Sequence, residues 1–375
     1  MRRALELAEG GRGLTSPNPM VGAVVVAADG LVVGEGFHRR AGELHAEVEA
    51  LGAAGPRARG GTLYVTLEPC CHHGRTPPCS PVVVASGVAR VVVALVDPNP
   101  RVAGSGLAEL RHAGIEVATN VLAAEAARQN RAFLTAMRER RPHVTLKAAM
   151  TLDGKIADVH GGARWITGPA ARRRAHRLRS EADAIIVGVT TVLRDDPALT
   201  VRLDRPWPRE PWRIVLDTTG RTPPAARLIA AGRPERSLIA VGTGAPEVAI
   251  ARLAETGATV RRYPTRDGRV DVSAVLADLF GHEVRAVLVE GGGEVHAAFL
   301  GAGVVDRVAI FVAPLLVGGA AAPGVVGGAG RELKSAVRLS EFEVTRCGDD
   351  LLLEADVVRE GPTTAPREPA PTEER

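Results

Sequence analysis

His45-Ala46-Glu47, Glu68-Pro69-Cys70 and Cys79 are the residues whose types and spacing can do chemistry together. One imidazole and two thiolates would leave a tetrahedral zinc one open position. Water in that position is acidified towards neutral pH. A carboxylate beside it can take its proton and pass it to a leaving amine. Glu47 stands two residues from His45, close enough to serve that water without occupying the metal. Cys70 follows Pro69 at the end of the strand-like run Leu63–Leu67, and a helix starting there would favour its thiolate. Cys71, His72 and His73 are further ligand types in the same stretch, so other ligand sets stay open. The triplet His-Ala-Glu is weak alone, but joined to a strand running into Glu-Pro-Cys it is a strong signal.

A second constellation lacks any Cys-His cluster. Leu288-Val289-Glu290-Gly291-Gly292-Gly293-Glu294-Val295 reads as a strand, three glycines and a helix. Such a turn lets backbone N–H groups approach a phosphate at a helix N-terminus. A tight packing turn explains it equally well, and the G-x-G-x-x-G fingerprint is absent.

These residues need a sheet to hold them. Strands are expected at 21–26, 31–35, 62–67, 91–95 and 116–119, with a hairpin turn at Asp29-Gly30. Helices are expected at 46–54, 81–86 and 107–113, after a short amphipathic helix at the start of the chain. One polar, Ala-rich helix is expected over 123–141, ended by Pro142. The domain boundary falls there, giving units of 1–142 and 143–357 and a Pro-, Glu- and Thr-rich disordered tail over 358–375. The second unit has strands from Val144, then at 185–189, 214–217, 238–241, 284–290 and 308–313, with helices at 172–182, 272–279 and 295–302. A Gly/Ala-rich loop covers 320–330. The alternation predicts an α/β fold, with helices packed on central sheets.

The chain's 375 residues suffice for two domains. Only 3% are aromatic and the net charge is +4, with arginines and acids interspersed. That argues against a nucleic-acid footprint and leaves room for a small anionic ligand. Three of the four cysteines fall within ten residues, which favours a metal or catalytic cluster over disulfides. The N-terminus lacks a signal-peptide core and no apolar run reaches membrane-spanning length. A cytoplasmic protein without a membrane partner is expected.

The first cluster resembles the H-x-E … P-C-x-x-C signature of zinc base deaminases, with P-C-x8-C in place of the short spacing. More specifically, Pro17-Asn18-Pro19-Met20-Val21-Gly22, His45-Ala46-Glu47, Thr66-Leu67-Glu68-Pro69-Cys70 and His72-His73-Gly74-Arg75-Thr76-Pro77-Pro78-Cys79 resemble the bifunctional riboflavin-biosynthesis deaminase–reductases. Asp97-Pro98-Asn99-Pro100 and Val102-Ala103-Gly104 continue the likeness. So do Leu146-Lys147, Thr151-Leu152-Asp153-Gly154-Lys155, Trp165-Ile166-Thr167-Gly168, Arg179, Gly188–Leu193 and Asp195–Arg202.

The resemblance implies a cytidine-deaminase-like three-layer N-terminal domain followed by a dihydrofolate-reductase-like C-terminal domain. It implies zinc on His45, Cys70 and Cys79, with Glu47 as the catalytic acid/base. The implied substrate is 2,5-diamino-6-ribosylamino-4(3H)-pyrimidinone 5-phosphate, deaminated by attack of metal-activated hydroxide. NADPH then reduces the ribosyl chain to give 5-amino-6-(5-phosphoribitylamino)uracil. NADPH contacts fall on Ala149, Trp165, Thr167, Thr191, Asp195, Thr218 and Gly291, Gly292 and Gly293. Substrate contacts fall on Arg179, Leu199, Arg202 and Glu290, with Arg75 as a phosphate partner and Asn99, like Asn18, as a ring contact or a turn residue. A homo-oligomer is expected. Two positions depart from the family: Cys71, where Ser is usual, and Ala163, where a substrate-contacting Ser is usual. A lost hydroxyl costs roughly 0.5–1.5 kcal/mol of binding. Lys147 and Asp153 are candidate proton carriers for the reduction.

Two rival readings remain at this level. One is a deaminase of free nucleosides or tRNA with a degenerate partner domain, disfavoured by the long Cys-to-Cys spacing and low aromatic content. The other is a zinc-stabilised, NADPH-sensing binding protein, disfavoured by Glu47 beside an open metal position.

Overall fold

The computed structural model describes residues 1–74, 76–99, 102–230 and 233–359. In the first unit the order is α1 (Arg2–Ala8), β1 (Gly22–Val26), β2 (Val32–Phe37), α2 (Ala46–Ala54), β3 (Thr62–Val65), α3 (Ser80–Ser86), β4 (Arg90–Val93), α4 (Ser105–His112), β5 (Glu116–Ala118), α5 (Ala123–Gln129) and α6 (Arg131–Glu139). The sheet order is β2-β1-β3-β4-β5. β1 is antiparallel to both neighbours, and β3, β4 and β5 are parallel. The β1–β2 turn forms where the sequence predicts it, with Leu31 N–H donating to Asp29 Oδ1 at 3.0 Å. The core between sheet and helices is branched aliphatic: Val25, Leu51, Leu63, Val65, Val83, Val91, Val93, Leu107 and Leu110.

α2 lies directly on the hairpin because β2 carries no side chains there. A Cβ on Gly34 would sit 2.1 Å from the Ala50 carbonyl oxygen, and one on Gly36 would sit 2.6 Å from that of Ala46. Any side chain at either position would lift the helix off the sheet, together with the site residues at its start.

The second unit runs β6 (His143–Thr151), α7 (Pro169–Glu181), β7 (Ala184–Gly188), α8 (Val189–Asp195), β8 (Trp212–Leu216), α9 (Arg227–Ala230), β9 (Ser237–Gly242), α10 (Glu247–Ala254), β10 (Thr259–Tyr263), β11 (Thr265–Arg266), β12 (Arg269–Val270), α11 (Val272–Gly281), β13 (Ala286–Val289), α12 (Gly293–Gly301), β14 (Arg307–Ala313), β15 (Glu343–Cys347) and β16 (Asp350–Asp356). Its main sheet has the order β10-β9-β8-β7-β13-β6-β14-β16-β15. From β10 to β14 all neighbours are parallel; β16 and β15 are added antiparallel. The two-residue alternation of each strand feeds two cores. Ile185, Val187, Val215, Leu288 and Phe311 pack under α7 to α10, and Ile186, Ile214, Val287 and Val289 pack under α11 and α12. The chain leaves β6 in both directions across the sheet, and crevices open beyond the carboxyl ends of such strands.

Two expectations fail locally. The helix expected over 123–141 is two helices, α5 and α6, broken at buried Asn130. The Asn130 side chain accepts from Met20 N–H at 2.8 Å and donates to Met20 O at 2.9 Å, so tertiary hydrogen bonds override the local pattern. No helix starts at Cys70 either: the chain stays irregular through the loop, and α3 begins only at Ser80, with Cys79 as its N-cap. The start of the expected tail is docked. Val358 N–H donates to Arg338 O, and Arg359 donates to Glu139 and Asp306. The rest of that tail, and Arg75, lie outside the described residues.

Candidate active sites

The first site forms where α2 meets the loop after β3. His45 is the extended N-cap of α2 and Glu47 occupies its first turn. Across the loop, Cys70 O accepts from the N–H groups of Cys79 (2.9 Å) and Ser80 (3.0 Å), which brings the two ends of the eight-residue Cys-to-Cys spacing together. The metal-ligating atoms of His45, Cys70 and Cys79 thereby lie within 4.8 Å of one another. His45 Nδ1 is 3.2 Å from Cys79 Sγ and 3.5 Å from Cys70 Sγ. On the far side of the ring, His45 Nε2 meets Thr76 Oγ1 at 2.9 Å. Such an outer partner holds the ring with Nδ1 towards the metal position. One nitrogen and two sulfurs, with an outer hydrogen bond, form a donor set that fits zinc. Among the described residues, Cys71, His72 and His73 do not join this group.

The electrostatics agree with that use. Cys70 is drawn down to about 4 by the Cys79 thiol, against burial, helped by His45 and the Cys79 N–H. The same hydrogen bond pushes Cys79 up, and metal binding would favour the deprotonated form of both sulfurs. Cys70 owes its thiolate to these contacts and not to a helix start. Glu47 is pushed up to about 7, first by burial, with His45 opposing and Cys70 adding to the rise.

Glu68, part of the Glu-Pro-Cys signal, has a different task. Buried, it accepts from the backbone N–H groups of Asp97 (3.1 Å), Gly104 (3.0 Å) and Leu107 (3.2 Å). It holds the loop carrying Asn99, whose own N–H donates to Asp97 Oδ1 at 2.8 Å. Sequence reasoning passed over Glu68 because its partners are backbone atoms that no side-chain pattern marks. It also missed His38, which takes the Asn18 amide on Nε2 (3.1 Å) and packs edge-on against the His45 ring, 5.2 Å between centroids.

The second site lies over the middle and carboxyl ends of β6, β7 and β13. Arg179 of α7 grips Glu290 with two bonds, Nε to Oε1 at 2.7 Å and Nη2 to Oε2 at 2.9 Å, and donates Nη1 to Thr200 O at 3.0 Å. Lys147 Nζ is 3.8 Å from Glu290. Arg202 N–H donates to His176 Nδ1 at 3.1 Å, and Leu199 is buried in the left-handed region, φ +51°. The predicted residues Arg179, Leu199, Arg202 and Glu290 are thus brought together, with Arg179 engaged on Glu290. Burial alone would raise the Glu290 carboxyl, but Arg179 and then Lys147 outweigh it and hold it at about 2. Burial pushes Lys147 down, with Glu290 opposing.

The residues expected on the nicotinamide cofactor are spread over several elements of the second unit. Gly292 caps α12, a nine-residue helix that opens beyond β13. A Cβ on Gly291 would meet Val295 at 2.5 Å, and one on Gly293 would meet the Gly324 carbonyl at 2.9 Å, so these two positions exclude a side chain, while Gly292 between them faces open space. A bare turn at a helix N-terminus fits a pyrophosphate. Ala149 lies on β6 opposite Phe311, and Thr191 lies in α8. Arg164 Nη2 donates to Asp195 O, linking the end of α8 to the loop that carries Ala163 and Trp165. Trp165 is 66% exposed, with the Arg172 guanidinium 4.6 Å from its ring centroid. Thr167 O accepts from Arg172 at 2.7 Å, and Thr218 Oγ1 accepts from Val270 N–H at 3.2 Å. Asp153 stands apart: its carboxylate accepts from Thr151 Oγ1 and from the N–H groups of Val317 and Gly318, anchoring the Gly/Ala-rich loop.

Fold and sites together define a class: a zinc-type base deaminase joined to a dihydrofolate-reductase-like reductase. The family described as the cytidine and deoxycytidylate deaminase zinc-binding region matches residues 1–95, and the RibD C-terminal domain matches residues 142–353. The riboflavin biosynthesis protein RibD of Aquifex aeolicus is 42% identical, over 94% of this chain and 96% of its own. RibD of Escherichia coli is also 42% identical, over 94% and 97%. The solved structure of Acinetobacter baumannii RibD superposes with a TM-score of 0.86 at 37% identity, covering 96% and 98%. That of the diaminohydroxyphosphoribosylaminopyrimidine deaminase/5-amino-6-(5-phosphoribosylamino)uracil reductase of Thermotoga maritima gives 0.81 at 36%, covering 96% and 97%.

This chain belongs to the RibD family of bifunctional riboflavin-biosynthesis enzymes. It is a deaminase and a reductase, and zinc and NADPH are the cofactors of its two regions. No helix of the described residues is long and apolar enough to cross a membrane.

Proposed function

We propose that the unit of residues 1–142 deaminates 2,5-diamino-6-ribosylamino-4(3H)-pyrimidinone 5-phosphate. The unit of residues 143–357 then reduces the product to 5-amino-6-(5-phosphoribitylamino)uracil. The observation that carries this is the His45–Cys70–Cys79 donor set with buried Glu47 beside it. The Thermotoga relative's two named activities supply the substrate class.

His45, Cys70 and Cys79 would hold zinc, which would supply the Lewis acidity that activates a water. Glu47 takes that water's proton and returns it to the departing amine. Its burial keeps bulk water from competing. Asn18 and Asn99, on loops tied to His38 and Glu68, orient the pyrimidine. Arg75 is assigned to the phosphate on its charge.

In the second unit Ala149, Trp165, Thr167, Thr191, Asp195, Thr218 and the Gly291–Gly293 turn would hold NADPH, which would supply the hydride. Arg179 and Lys147 keep Glu290 ionised, ready to accept hydrogen bonds from ribose hydroxyls. Arg202, Leu199 and Ala163 belong to the same substrate side, Ala163 without the family's hydroxyl. Of the two candidate proton carriers, Lys147 is favoured because it stands 3.8 Å from Glu290, while Asp153 bonds the backbone of Val317 and Gly318.

The enzyme acts on small molecules in the cytoplasm, as a homo-oligomer. The exposed edge strand β15, with Phe342 and Val344 open to solvent, offers a face for a second copy. Following ammonia release and NADPH oxidation on one purified sample tests the two activities. If either signal is missing with the diaminopyrimidine supplied, this reading fails.

A further inference from the structure

The loop between α1 and β1 carries Asn18, and part of what holds it comes from the other unit. Ser16 Oγ donates to Asp183 Oδ2 at 2.8 Å. Asp183, between α7 and β7, is buried and also accepts from the N–H groups of Arg285 (2.6 Å) and Ala286 (2.9 Å). Arg209 donates Nη2 to the second oxygen of that carboxylate and Nη1 to Gly13 O at 3.3 Å. Gly13 itself, φ +72°, lies so close that a Cβ would be 2.3 Å from Ser180 O and 2.9 Å from the Trp207 ring. Arg12 adds a contact to Glu181 at 3.5 Å.

Around these contacts the units do not close on each other. A cavity of about 810 Å3 separates them, lined by Thr15, Ser16 and Asn18 on one side and Leu178, Asp183 and Arg285 on the other. Beside the cavity, the loop meets the second unit through a few polar bonds and the close approach at Gly13. Two residues past Ser16, the Asn18 amide nitrogen donates to His38 Nε2 at 3.1 Å, and His38 Nδ1 donates in turn to Leu44 O at 3.0 Å. That turns Asn18 Oδ1 away from His38, and His38 packs on the metal-side ring of His45.

We propose that the reductase unit is the scaffold of the deaminase's pyrimidine-binding loop, with Asp183 and Arg209 as positioning residues for deamination. The proposal rests on the assignment of Asn18 to the pyrimidine. Asp183 also organises the start of β13, so the informative variants of the full-length enzyme are Ser16→Ala and Arg209→Met.

Each should raise the KM for deamination about 3–10-fold, the loss of one or two hydrogen bonds' worth of preorganisation. Deaminase kcat and zinc content should stay within about two-fold, and NADPH oxidation on the deaminated intermediate should be unchanged. Ser16→Thr should restore the wild-type KM. A merely structural defect would lower the active fraction, reducing kcat at constant KM, and that result overturns the proposal, as does an unchanged KM in both variants. Asn18→Ala separates the two readings. If it raises KM while Ser16→Ala and Arg209→Met do not, the scaffold role fails and the Asn18 assignment stands. If Asn18→Ala leaves KM untouched, both fail.

Discussion

The two active sites differ in how their residues are strung along the chain. His45 and Cys79 are 34 positions apart and the whole donor set comes from one helix start and one loop. Arg179 and Glu290 are 111 positions apart, and β6, α7, the loop after α8 and β13 must all assemble before they meet. The difference follows from where each reaction gets its power. A metal dictates ligand types and geometry to the protein, so the chemistry is written in side-chain identity. A nicotinamide brings its own reactivity, and the protein supplies surfaces, many of them backbone. The second site is also partly a structural core, because its charged residues neutralise one another in a buried place.

That contrast can be broken experimentally. Glu47→Gln should cut ammonia release by roughly 10²–10⁴-fold while zinc content and NADPH oxidation persist; a variant deaminating at the wild-type rate would remove Glu47 from the mechanism. Glu290→Gln should instead cost stability as well as reduction, because it leaves Arg179 and Lys147 buried without their counter-charge. The cost expected from denaturant unfolding is about 3–5 kcal/mol. A loss of reduction with no change in unfolding would mean that the second site is as separable from its scaffold as the first.

A smaller effect concerns His143, at the start of β6. Burial holds its imidazole down at about 4; Asp306 and Asp356 pull upward, and Arg131 and Arg141 push downward. The unfolded chain, with a histidine near 6.5, takes up the proton first as pH falls. Its contribution to stability is therefore complete above about 6.5 and declines towards pH 4, by roughly 1.4 kcal/mol per pH unit. His143→Gln should flatten that part of a melting-temperature profile between pH 7 and pH 4, and an unchanged slope would assign the acid sensitivity elsewhere. The smallest effect is expected at Cys71. It lies outside the ligand group, so Cys71→Ser should leave zinc content as it was. A fall to half would make it a ligand.

Much of the first site was legible because its constraints are local. The bounds of α2 match the apolar pattern at 46–54, and the ligand candidates lie close together in the chain, with the family resemblance choosing His45, Cys70 and Cys79 among them. What could not be read depends on distant partners. The break at Asn130 is made by the backbone of Met20, and the role of Glu68 by three N–H groups 29 to 39 positions downstream. Arg179 and Glu290 were both recognisable as site residues, but their mutual pairing was not, since nothing local couples a helix to the end of a strand that far away. β15 escaped notice because four of its five residues face solvent, and an edge strand with one covered position has no alternation to detect.

The bare contact of α2 on the hairpin has a consequence for anyone transplanting this chemistry. Copying His45, Glu47, Cys70 and Cys79 into another protein would reproduce the motif without the clearance that Gly34 and Gly36 provide. The helix would ride higher on the recipient sheet, and its imidazole would miss the thiolates. The smallest portable unit runs from the first strand of the hairpin to the second cysteine, and two of its indispensable residues have no side chain.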